Sequence, residues 1–125
     1  MNLLLDTHVL IWHVTGDPKL PVKVSNAITA PGTRRFVSVA TIWEAEIKGG
    51  LGKLQLDVDM IEAARGADAQ LLPIEAEDAV SAARLPLHHR DPFDRMIVAH
   101  AMRHKLTLVT HDRVMERYLV PLLLA

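Results

Sequence analysis

The sequence predicts a three-layer α/β/α fold with a mostly parallel central sheet. Two observations carry that expectation. Short apolar runs alternate along the chain with segments of helical periodicity, and strands joined through helices need crossover connections that leave neighbouring strands parallel. Two of the runs, NLLL (2–5) and LTLVT (106–110), read as continuous apolar strands, which suits strands covered by helices on both faces.

The elements follow in order. After NLLL, THVLIWHV (7–14) reads as a helix stopped near Gly16. PVKVSNAITA (21–30) is a second helix with Pro21 in its first turn, where a missing N–H costs nothing, and a PGT turn follows. RFVSV (35–39) is a strand and ATIWEAEIK (40–48) a helix ended by Gly49 and Gly50. An LGKLQL connection leads to a helical DMIEAARGA (59–67) and a short strand QLLPI (70–74). EAEDAVSAARL (75–85) and PFDRMIVAHAMRH (92–104) are helices, the latter feeding the strand at 106–110. A short helix from Arg113 to Tyr118 and a last apolar run, LVPLLL, close the chain.

The 125 residues, 50% of them apolar, predict one domain over 1–125 with a single sizeable core. Cysteine is absent, so any metal must be held by oxygen or imidazole, and the composition fits a reducing, cytoplasmic setting. The start, MNLLLDTHVL, has no basic segment or cleavage site, and Asp6 breaks its apolar run; neither a signal peptide nor a membrane span is expected. With a net charge of −1, no broad basic footprint advertises nucleic acid, and such a role would rest on local groups.

Four acids stand out by topology. Ligands bind open α/β sheets at the carboxyl ends of the strands. Asp6 follows NLLL and Asp112 follows LTLVTH; Glu44 lies early in the helix leaving RFVSV, and Asp94 starts the helix that leads to LTLVT. Each alone is read more simply as a helix cap. Four together repel one another unless a cation offsets them.

Side-chain direction separates the roles further. Asp91 before Pro92 is the natural N-cap, so Asp94 is not needed as one. At about 100° per residue, Asp94 shares a face with Ile97, Val98 and Ala101, while Arg95, His100 and Arg103 point elsewhere. A carboxylate on the apolar stripe requires a metal or a basic partner. By the same test Glu44 faces inward with Ala40 and Ile47, and Glu46 faces solvent. The seven histidines show no zinc-type spacing and are read as surface or packing residues, with His111 the one placed to touch a substrate. Trp12, Trp43 and Phe93 are read as core or interface. Arg90 and Arg95 flank the acids as candidates for phosphate contact; Arg34 and Arg35 are read as solvated.

LLLDTHVLIW, VSVATIWEAEIKGGLGKLQL, LPLHHRDPFDRMIVAHA and LTLVTHD, in that order from Met1 to about Tyr118, resemble the PIN-domain family and within it the VapC-type toxins of toxin–antitoxin pairs. The resemblance implies an endoribonuclease whose quartet Asp6, Glu44, Asp94 and Asp112 holds Mg²⁺ or Mn²⁺. Asp6, Asp94 and Asp112 would lie nearest the metal, and Glu44 would hold a second ion or orient the attacking water. One metal and two both remain open. Thr7 takes the place of a hydroxyl residue that assists the first aspartate, and Thr110 that of the threonine in the family's TxD pattern. The resemblance also implies an RNA substrate, a cognate antitoxin that blocks the site, and a homodimer.

Other doubly wound readings fit poorly. A phosphoacceptor receiver domain needs an acidic pair after the first strand and a lysine after the last core strand, but here one acid follows and Lys105 precedes. A dinucleotide binder lacks its GxGxxG. A non-catalytic module that docks RNA or protein remains the alternative, and the intact quartet argues against it.

Overall fold

The computed structural model describes residues 1–55 and 57–125; Leu56, at the end of the expected LGKLQL connection, lies outside the described residues. The elements run β1 (Asn2–Leu5), α1 (Thr7–Thr15), α2 (Val22–Thr29), β2 (Arg34–Ser38), α3 (Val39–Gly50), α4 (Met60–Gly66), β3 (Ala69–Leu72), α5 (Ala76–Arg84), α6 (Pro92–His104), β4 (Thr107–Thr110), a 3₁₀ turn (Arg113–Arg117) and β5 (Leu122–Leu124). The strands form one sheet in the order β3-β2-β1-β4-β5, and the paired strands are parallel throughout. The final apolar run is thus an edge strand, where Pro121 removes no ladder donor because it precedes the strand.

The strands send alternate residues to two cores. Leu3, Leu5, Val37 and Val109 pack with the residues of α1, α2 and α4. Leu4, Phe36, Leu108 and Leu122 pack with those of α6 and with Met115 and Tyr118. Helices therefore cover both faces, which is the three-layer α/β/α arrangement and the reason the central strands lack polar alternation. Gly16 ends α1 in the left-handed region at φ 66°, as the sequence leads one to expect. The glycines of α3 behave differently. The helix runs through Gly49 and Gly50 to a cap at Leu51, and the chain reverses at Gly52, φ +71°.

The α6 helix departs from its sequence reading. Arg95 and His100, expected away from the apolar stripe, are buried, because α5 packs along the flank that the sheet leaves open. His100 Nδ1 lies 3.0 Å from Ser38 Oγ and its Nε2 3.1 Å from Asp78 Oδ2. The Asp78 carboxylate, held below its ordinary value, only accepts, so His100 carries its ring proton on Nε2, and Nδ1 takes the hydroxyl of Ser38, which caps α3 by accepting from the Ala40 N–H. Arg103 completes the network on Asp78. Burial holds His100 below the usual imidazole range. For Asp78, burial pushes upward but is outweighed by the Glu75 N–H, Arg103 and His100, so its carboxyl sits below the ordinary value. These bonds tie α3, which carries Glu44, to α6, which carries Asp94.

Candidate active site

The parallel sheet brings every strand end to one edge, and the four acids meet there. Asp6 follows β1; its backbone N–H still bonds Val109 O at 3.0 Å, extending the β1–β4 ladder by one residue. Asp112 stands two residues past β4, Glu44 sits in the second turn of α3, and Asp94 in the first turn of α6. All four line a cleft of about 340 Å³.

Hydrogen bonds link Glu44, Asp6 and Asp112 into one chain, and His89 brings Asp94 against it. Thr7 donates its hydroxyl to Glu44 Oε1 at 2.8 Å and its backbone N–H to Asp6 Oδ1 at 2.6 Å. Thr110 donates its hydroxyl to Asp6 Oδ2 at 2.7 Å and accepts the Asp112 N–H at 3.1 Å. His89 Nε2 then stands 3.0 Å from Asp112 Oδ2 and 3.1 Å from Asp94 Oδ2. At the other end, Lys48 donates to Glu44 Oε2 at 2.8 Å.

The charges are crowded and partly dry. Burial drives the Asp6 carboxyl up from its ordinary value, and Glu44's charge adds to this, against the bonds from Thr110 and the Thr7 N–H. Asp94 is pushed up to about 8, first by burial and then by the negative charges of Asp6, Asp91, Glu44 and Asp112. The bond to Glu44 raises Lys48, with the charges of Glu44, Asp91 and Asp94 adding against partial burial. Glu44, Asp91 and Asp94 each bring a ligand atom within 4.8 Å of the others, and so do His89, Asp94 and Asp112. Asp94 is common to both groups.

Capping and site roles coincide rather than compete. Asp6 and Asp112 each cap the helix or turn that follows while lining the cleft. Asp91 caps α6 by accepting from the Phe93 and Asp94 N–H groups at 2.8 and 3.4 Å, as expected. Thr7 stands beside Asp6 as expected, but its hydroxyl donates to Glu44 rather than Asp6.

Arg95 is a correction. Expected beside the site as a phosphate contact, it is buried and donates to the carbonyls of Ala82, Ala83, Leu85, Pro86 and His89. The guanidinium is consumed in holding the chain ahead of α6. Trp43 is not core either: it is 57% exposed and meets Phe93 edge-on, with ring centroids 5.1 Å apart. His111 lines the cleft as expected, and its ring lies against His8 and Trp12.

Two residues of the cluster escaped the sequence reading. Lys48 had a signal, since a lysine four residues after Glu44 shares its helix face. His89 had none, because its position depends on how the 85–91 segment folds back.

The PIN domain family model matches residues 3–119. VapBC2 from Rickettsia felis bound to a DNA fragment from their promoter superposes with TM-score 0.68 at 16% identity, covering 98% of each chain. DNA-bound VapBC from Salmonella typhimurium gives 0.66 at 18%, covering 98% of this chain and 97% of that one. VapBC-5 from Mycobacterium tuberculosis, a member of the VapBC family of toxin-antitoxin systems, gives 0.63 at 22%, covering 98% and 96%. No curated protein matches by sequence. The family match begins inside β1 and ends one residue past Tyr118, so it takes in every element that supplies an acid to the cleft: this chain belongs to the PIN domain family.

Proposed function

We propose that this chain is a metal-dependent endoribonuclease and the VapC-type toxin of a toxin–antitoxin pair, with residues 1–125 acting as one catalytic domain in the cytoplasm. The observation that carries the reading is Asp94, a carboxyl pushed up to about 8 among four other acids. Such a group is destabilising unless a cation joins it. The fold shared with three VapBC structures supports the toxin assignment. It also supports a cognate antitoxin as partner; a homodimer completes the proposed assembly. Among the described residues, no helix is long and apolar enough to cross a membrane.

The donor set fits a hard divalent cation, because carboxylate oxygens suit Mg²⁺ or Mn²⁺. Asp6, Asp94 and Asp112 would hold it, with Glu44 beside them. When bound, such an ion lowers the pKa of a water and offsets charge on the phosphate. The protein's own groups do the rest. Asp94, whose carboxyl is pushed up to about 8, would release its proton to serve as a ligand. Glu44, fixed by Thr7 and Lys48, is oriented to accept a proton from the attacking water. Lys48 and Arg113 on the cleft wall complement the phosphate, and Thr110 holds Asp6 and Asp112 in register.

The test is RNA cleavage by purified protein with Mn²⁺, then with chelator, for the native chain and Asp94→Asn. Cleavage that chelation and the substitution both abolish supports the proposal. Full activity in folded Asp94→Asn sinks the site assignment, and RNA binding without cleavage supports the non-catalytic module instead. Sequencing of RNA ends from cells expressing the protein identifies the substrate.

A further inference from the structure

We propose that His89 is a positioning residue for the metal site: its Nε2–H bonds Asp112 while standing against Asp94, and it holds the two carboxylates in the arrangement that takes a divalent cation. This rests on the nuclease reading above.

The segment before α6 is built to place this imidazole. Tyr118 donates its hydroxyl to Pro86 O at 2.8 Å and accepts the His89 N–H at 2.9 Å. Arg95 donates to His89 O at 3.2 Å. Both backbone polar groups of His89 are therefore held from the protein interior. The ring state follows from its partners. Nδ1 accepts the Asp91 N–H at 3.1 Å, so it carries a lone pair. Nε2 faces Asp94 Oδ2 at 3.1 Å and Asp112 Oδ2 at 3.0 Å. A neutral ring that accepts at Nδ1 carries its proton on Nε2, so Nε2 donates to Asp112.

A protonated Nε2 has no lone pair and is not itself a ligand. His89 is also not among the residues lining the cleft, whereas Asp94 and Asp112 are. It acts from behind them, as partners of metal-binding groups do when they fix orientation. Asp112 is constrained on its other oxygen by the Val114 N–H at 3.0 Å, which leaves little freedom to the bridged pair.

The experiment is a Mn²⁺ titration followed by the paramagnetic signal of the free ion, on the native chain, His89→Ala, His89→Gln and Asp94→Asn, with thermal melts in chelator to verify folding. His89→Ala weakens Mn²⁺ binding roughly 10–100-fold. His89→Gln, whose amide nitrogen reaches about as far as Nε2, recovers most of it. A His89→Ala protein that binds Mn²⁺ as tightly as the native chain, or tighter, overturns the proposal, as does a Gln variant no better than Ala. Native protein without Asp94-dependent Mn²⁺ binding overturns the nuclease reading and this one together; native binding with an indifferent His89→Ala overturns this one alone. Nitrogen NMR of the native protein reads the ring directly, whatever the variants do. The Nε2–H tautomer is expected, and an Nδ1–H tautomer refutes the arrangement.

Discussion

Asp94→Asn should stabilise the metal-free protein even as it removes function. The side chain is 16% exposed, and its folded value is about 8 against an ordinary 3.8. A carboxyl whose folded value is raised loses stability to the unfolded chain, which ionises first. At pH 7 the unfolded chain has released this proton and the folded one has not. Linkage then sets a cost of about 4 kcal/mol at 1.36 kcal/mol per unit. Relaxation among neighbouring carboxylates reduces that figure, so a gain of about 2 kcal/mol is expected for Asn, which removes the ionisable group and keeps its size. At this size that is a rise in Tm of roughly 5–10 °C. The sign gives a distinct profile. The two proteins are equally stable near pH 4, the gap widens as pH rises, and it levels off above pH 8. The assay is thermal and urea unfolding in chelator across that range. Saturating Mn²⁺ should raise the Tm of the native protein alone and close the gap. An Asn variant that is less stable in chelator at pH 7–8, or a gap that does not change with pH, would refute the reasoning.

Other expectations follow from the same contacts. Arg95→Met should cost about 3–5 kcal/mol in urea unfolding, because five carbonyls lose a buried guanidinium donor, and Arg95→Lys should not restore it. Asp91→Ala removes the α6 cap and should lower stability by about 1 kcal/mol while Mn²⁺-dependent cleavage persists. Asp78→Asn should destabilise the protein at neutral pH by breaking the network with His100 and Arg103. Because the folded Asp78 value is lowered, its contribution is present above the ordinary carboxylate range and is lost as pH falls through the folded value. The deficit relative to the native chain therefore shrinks in acid. Lys48→Met should reduce cleavage at least tenfold and weaken its salt dependence, read as an increase in KM for RNA.

The Asp91–Asp94 pair shows what reading the sequence can and cannot do for a site. Asp91-Pro92 marks a helix start by local chemistry alone, and the face shared by Asp94 and Ile97 marks an inward acid. Both hold in the structure. Treating cap and site as rivals does not hold, because a carboxylate at a strand's carboxyl end caps the next helix with one oxygen and keeps the other for a second partner at the site. Asp6 shows it directly: Oδ1 takes the Thr7 N–H and Oδ2 the Thr110 hydroxyl.

By itself the sequence determined the strand–helix alternation, the parallel sheet and the edge at which Asp6, Glu44, Asp94 and Asp112 gather. Those follow from periodicity and from a crossover rule that acts within each unit. Only the tertiary structure decided the rest. Burial of Arg95 and His100 depended on α5 closing over α6, and the place of His89 depended on Arg95 and Tyr118 drawing the 85–91 segment back across the sheet edge. Contacts between segments distant in sequence leave no periodic trace, so local pattern delivered the acids and long-range packing chose what stands between them.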